Sequence, residues 1–119
     1  MSTKETIELV DEFIKGTQHG TLVWSTDSAP YNLIGPDVRV GVIYHSSYLN
    51  QNIRLYRKEY KNYYDESSYS WDMSLELEIV DFHGNTLYTF PTTSNLRNLF
   101  NAVTYQTSGV ANLFKSLKP

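Results

Sequence analysis

Arginine, tyrosine, lysine and tyrosine occupy positions 54, 56, 58 and 60, and on a β-strand that spacing puts all four on one face. Such a face has a definite chemistry. Its cations neutralise carboxylates or phosphates, and its phenol rings stack on planar groups and bury area at low entropic cost. Tyr63, Tyr64 and Trp71 prolong the aromatic run, so the candidate binding residues are Arg54, Tyr56, Lys58, Tyr60, Tyr63, Tyr64 and Trp71. Four of the ten basic residues fall here, at Arg54, Arg57, Lys58 and Lys61. Alternation sends Arg57 and Lys61 to the other face, leaving Arg54, Tyr56, Lys58 and Tyr60 as the group able to act together. The competing reading is a plain exposed strand whose basic residues discourage edge-to-edge association.

Other chemistry is poorly served by the residue spacing. His19, His45 and His83 form no H-x-H or H-E-x-x-H pattern, so they read as solvent-facing or turn residues and no metal or cofactor is expected. GTQHGT, residues 16 to 21, resembles a phosphate loop in its glycines alone. It leaves a helix, where free carbonyls repel an anion, and so reads as a helix terminus. Asp65 and Glu66 lie in a polar loop, and Asp72, Glu76 and Glu78 alternate on the outward side of a strand. Neither set promises the desolvation that catalytic carboxylates require. Serines are common but none sits in a nucleophile elbow. With no cysteine in the chain, thiolate ligands, thiol nucleophiles and disulfides are excluded.

The elements that must position these residues follow from periodicity. Ser2 with Glu5 matches a capping box, with Thr3 as an alternative cap. Ile7, Val10, Phe13 and Ile14 then give an amphipathic helix over 3–16. TLVWST, 21 to 26, reads as a strand. DSAPYNLIGPD, 27 to 37, reads as a loop, and Val38 to about His45 reads as a strand with Val38, Val40 and Val42 on one face. Residues 49 to 64 fit a helical stripe or a strand. Tyrosine content and the need of the next segment for a partner decide for a strand over 51–63. Met73, Leu75, Leu77 and Ile79 mark a strand over 70–82, HGN a tight turn at 83–85, and TLYTF a strand over 86–90. A helix from about Ser94 carries apolar spacing beyond Leu113, with a break expected at Gly109. The fold class is therefore α+β: a single antiparallel sheet of about five strands, with amphipathic helices at both termini, in one domain spanning 1–119.

At 119 residues with 40% hydrophobic and 19% charged residues the chain is globular in composition, and its net charge of −3 disfavours nucleic acid as a partner. No apolar run reaches the ~18 residues of a membrane span and no signal core opens the chain, so a cytoplasmic, membrane-free protein is expected. FIKGTQHGTLVW, followed by LELEIVDFHGNTLYTF and a closing amphipathic helix, resembles short bacterial and mobile-element reading frames. Size and acidity are also similar to type III secretion chaperones, a likeness that implies a helix between two strand groups at 50–64. The functional expectation is a small non-catalytic, tyrosine-rich interaction module, an accessory protein holding a protein partner or a second copy of itself. The alternative is a small-ligand binder or sequestering protein for a nucleotide-like molecule, and a small enzyme stands third.

Overall fold

The Ser2 hydroxyl accepts from the Glu5 N–H at 3.1 Å and the Glu5 carboxylate accepts from the Ser2 N–H at 3.0 Å, so both halves of the capping box form. They start helix α1, Thr3–His19, in a computed structural model that describes residues 1–117. The helix runs past Gly16, where the sequence pattern had placed its end, to Gly20 at φ 77°. Gly16 serves another purpose. A Cβ there would lie 3.0 Å from the Leu22 Cβ, so the glycine lets the returning chain pack against the helix.

Strand β1 is Ser25–Ser28, later than the expected 21–26. The reason lies in Gln106. Its side chain accepts from the Trp24 N–H at 2.8 Å and donates to the carbonyls of Leu22 and Thr17 at 2.9 and 3.0 Å. A helix side chain thus takes the hydrogen bonds that a strand neighbour would have made. Strand β2, Val38–Tyr48, contains a bulge between Val40 and Ile43. It ends the expected valine alternation: Val42 is 50% exposed, and Ile43 takes the inward position at 2%.

Leu49 and Asn50, both at positive φ, turn the chain into β3, Gln51–Tyr63. That segment is a strand along its whole length, so the interposed helix of the chaperone likeness is not there. Strand β4, Tyr69–Val80, and strand β5, Thr86–Thr89, complete an antiparallel meander in the order β1-β2-β3-β4-β5. Helix α2, Leu96–Ser108, and helix α3, Val110–Ser116, are separated at Gly109, as the spacing predicts.

The sheet is open, with α1 and α2 against one face. Val10 and Phe13 of α1 and Leu96, Leu99 and Val103 of α2 bury against Ile53 and Leu55 of β3 and Leu75 and Leu77 of β4. Fully burying such side chains is worth about 1.5–3 kcal/mol each. Farther along the same face, Arg57, Tyr63 and Tyr69 are exposed. The distal parts of β2, β3 and β4 therefore project beyond the core as a three-stranded arm, in a molecule measuring 58 × 37 × 29 Å. No helix of the described residues is long and apolar enough to cross a membrane.

Candidate functional site

Strand alternation puts Arg54, Tyr56, Lys58 and Tyr60 on the face away from the helices, but the two ends of this group differ. Arg54 is 1% exposed. Its Nη2 lies 2.7 Å from Glu78 Oε1 and its Nε donates to the same oxygen at 2.9 Å. Nη1 donates to the Gly84 carbonyl at 3.1 Å and Nη2 to Thr86 Oγ1 at 3.0 Å. The Tyr56 hydroxyl donates to Glu78 Oε2 at 3.2 Å, and burial, reinforced by the Glu78 charge, pushes that phenol well above its ordinary range. With Ile43 and Val80, also buried, these residues make a second, smaller core on the helix-free face. Arg54 and Tyr56 thus present almost no surface to a partner.

Glu78 itself departs from the sequence expectation of an outward, solvated carboxylate, being 5% exposed. The cause is register: Arg54 stands directly opposite Glu78 on β4. A strand pattern shows that both residues share a parity, and only pairing shows that they meet.

Lys58 and Tyr60 remain partly accessible on the same face. The Lys58 ammonium lies 3.4 Å from Glu76 and 5.8 Å from the Tyr60 ring centre. Tyr64 is 71% exposed at the mouth of the β3–β4 loop, and its hydroxyl donates to Ser70 Oγ at 2.7 Å.

Tyr63 and Trp71 lie on the opposite face, where the arm carries a larger aromatic assembly. Tyr63 packs on Tyr69 at 5.5 Å between ring centres, and Tyr69 meets Trp71 edge-on at 6.2 Å. The Arg39 guanidinium carbon lies 3.6 Å from the centre of the Trp71 ring, over its face, and the Lys61 ammonium stands 4.4 Å above Tyr69. Asp37 ties the group down: its carboxylate accepts from the Tyr63 hydroxyl at 2.8 Å and lies 3.6 Å from the Lys61 ammonium. That hydrogen bond is the main cause raising the Tyr63 phenol above its ordinary range. Glu59 pairs with Arg39 at 3.1 Å. The seven expected residues are therefore divided among a buried network, two opposite faces and a loop. Arg39, Tyr69 and Asp37 are members that sequence reasoning missed, and Lys61 is one that alternation had set aside from the group. The Tyr69–Trp71 spacing of two was the available signal for one, whereas Arg39 reaches Trp71 only through the β2–β3–β4 register.

A second feature lies at the other end of the helix-free face. A cleft of about 350 Å³ is lined by Asp27, Ile43, His45, Asn52, Val80 and His83, among others. His45 is half-buried on β2 rather than solvent-facing or in a turn, which corrects the sequence reading. Burial, then the nearby Arg54 charge, holds its imidazole below the usual histidine range. At the rim, Phe82 is 85% exposed and its ring lies 4.1 Å from that of His83. Among the described residues no three of His, Asp and Glu gather into a metal site.

No family model, curated protein or solved structure matches this chain, so its surfaces are interpreted from their own geometry.

Proposed function

We propose that the protein is a small, non-catalytic interaction module that holds a protein partner on the aromatic face of its sheet arm. The observation that carries this reading is the assembly of Tyr63, Tyr69 and Trp71, capped by Arg39 and Lys61, on a stretch of sheet beyond the helices. Tyrosine, tryptophan and arginine are the residues that dominate binding energy at protein interfaces. Here they are already fixed by Asp37, Glu59 and the strand ladder, so little side-chain entropy remains to be lost on docking. The role suits a cytoplasmic chain without cysteine.

Affinity purification of the tagged chain from its own host tests this against the double variant Tyr63→Ala with Tyr69→Ala. A partner retained by the native chain and lost by a folded double variant supports the reading. A partner held equally by both removes it.

A small polar ligand in the His45 cleft is the second reading, favoured by a volume at the lower end of the range of ligand pockets. A phosphate-bearing ligand is poorly served there, because the Arg54 guanidinium is already engaged by Glu78, Gly84 and Thr86. Native mass spectrometry of the host-derived protein would show such a ligand as a small added mass. A bare chain would count against it.

A further inference from the structure

Strand β4 has an outer edge that its neighbour covers only in part. Strand β5 pairs with Glu78, Ile79 and Val80, and the Phe90 N–H adds a bond to the Leu77 carbonyl at 2.9 Å. That last bond fixes the direction of the rest. Backbone groups alternate sides along a strand, so Leu75, Met73, Trp71 and Tyr69 also point their N–H and C=O groups outward. Among the described residues no strand pairs with them there. The open stretch from Tyr69 to Glu76 is roughly 25 Å long.

The opposite side of the sheet is treated differently. There β1 covers Val42 to His45, and a two-way bridge between Gly35 and Val38 closes the outer side of β2 farther along. Of the usual defences of an exposed edge, residues 69–76 of β4 contain no proline, lysine or bulge, and their only charges are the acidic Asp72 and Glu76. Beside the open edge, Met73, Ser74 and Leu75 form one wall of a groove of about 300 Å³, whose other wall is Thr92, Thr93, Ser94, Leu96 and Arg97.

We propose that this edge takes up an extended segment of the protein partner as a sixth strand, one in which apolar residues alternate with basic ones. The proposal rests on the interaction-module reading and names the chemistry of its partner. Side chains facing Trp71, Met73 and Leu75 would meet those residues and Leu96, and Arg97 at the groove favours apolar over basic side chains on this side. Those on the other side would meet Asp72 and Glu76, with Ser74 between them. Lys58 reaches Glu76 from β3, at 3.4 Å, whereas Asp72 accepts from Asn62 at 2.9 Å and, among the described residues, pairs with no lysine or arginine.

The same charges oppose a second copy of this chain. Antiparallel self-pairing centred on Asp72 sets Asp72 against itself, and centring on Ser74 sets it against Glu76. Centring on Met73 leaves the two carboxylates as diagonal neighbours. Like charges directly opposite destabilise a strand pair, which disfavours the first two registers.

The probe is a capped nine-residue peptide alternating valine and lysine, added to the full ¹⁵N-labelled chain while amide hydrogen exchange is followed. The expected result is exchange slowed roughly tenfold or more at the Met73 and Leu75 amides. A glutamate-for-lysine peptide is expected to bind roughly tenfold more weakly or worse. N-methylation at the valines, whose N–H groups would face β4, is expected to abolish the protection. The proposal is overturned if the basic peptide leaves these amides unprotected at its solubility limit, or if the methylated peptide protects them equally.

Two variants extend the test to the host partner. Met73→Pro removes one outward donor while sparing the ladder to β3, and Asp72→Lys reverses an exposed charge without touching the core. Loss of the partner by both, as well as by Tyr63→Ala with Tyr69→Ala, is expected. If either folded edge variant keeps a partner that the tyrosine variant loses, strand addition is refuted and the interaction-module reading stands. Retention by all three refutes that reading too.

Discussion

Replacing Arg54 by methionine isolates the buried network from the core on the other side of the sheet. The native guanidinium makes a 2.7 Å ion pair with Glu78, and the two side chains are 1% and 7% exposed. Methionine fills much of the same space but leaves the Glu78 carboxylate buried with, among the described residues, only the Tyr56 hydroxyl as a side-chain donor. Stranding one member of a buried pair costs about 3–5 kcal/mol. The bonds to Gly84 and Thr86 add little, since those groups lie near solvent and water can replace the arginine. A total of about 3–5 kcal/mol is a large part of the ~5–15 kcal/mol that holds a domain together.

Removing both charges, Arg54→Met with Glu78→Leu, is expected to recover most of that loss, because the pair's desolvation cost disappears with it. What remains is the orphaned Tyr56 hydroxyl, at about 1–3 kcal/mol, and adding Tyr56→Phe is expected to remove that too. Urea denaturation followed by tryptophan fluorescence, with Trp24 buried in the main core, reads all four proteins. An Arg54→Met deficit under about 1 kcal/mol, or a double variant no more stable than the single one, refutes the account of this network.

Three further perturbations probe other joints. Gln106→Ala deletes the side chain that joins α2 to the α1–β1 connection through three bonds, and a loss of about 2 kcal/mol in denaturant unfolding is expected. Gly16→Ala should destabilise by about 1 kcal/mol despite the better helix propensity of alanine, because the new Cβ meets the buried Leu22 Cβ at 3.0 Å; a gain in thermal midpoint would contradict that packing. His45 should titrate below the ordinary histidine range in NMR, as burial and Arg54 disfavour its charged form. Since the unfolded chain then takes up the proton first, stability should fall as pH drops through about 6.5, and His45→Gln should flatten that part of the curve.

Much of this architecture was legible because local rules and global packing agree. The capping box, the alternation of Met73, Leu75, Leu77 and Ile79, and the Gly109 break each point to the element observed. Where the reading failed, a long-range partner had overridden a local pattern. Gln106 withdrew Trp24 from β1, and Leu22 packing converted Gly16 from a terminator into a contact site. The bulge before Ile43 exchanged which aliphatic faces inward.

The site was legible only as composition. The sequence located the aromatic and basic residues correctly along the chain. It could not show that Arg54 would be consumed by Glu78, or that Arg39 would arrive over Trp71 from a strand more than thirty positions away in sequence.

The central claim is that the sheet arm, rather than another exposed surface, contacts the partner. Leu113 on α3 supplies the natural rival, being 70% exposed beside Val110 and Tyr105, against 71% for Tyr64 on the arm. A photo-crosslinking amino acid placed at one or the other of these positions, in the full chain within its own host, separates the two. Crosslinks to a discrete protein from position 64 and none from position 113 are the predicted result. Crosslinks from position 113 alone, or from neither position, would contradict it.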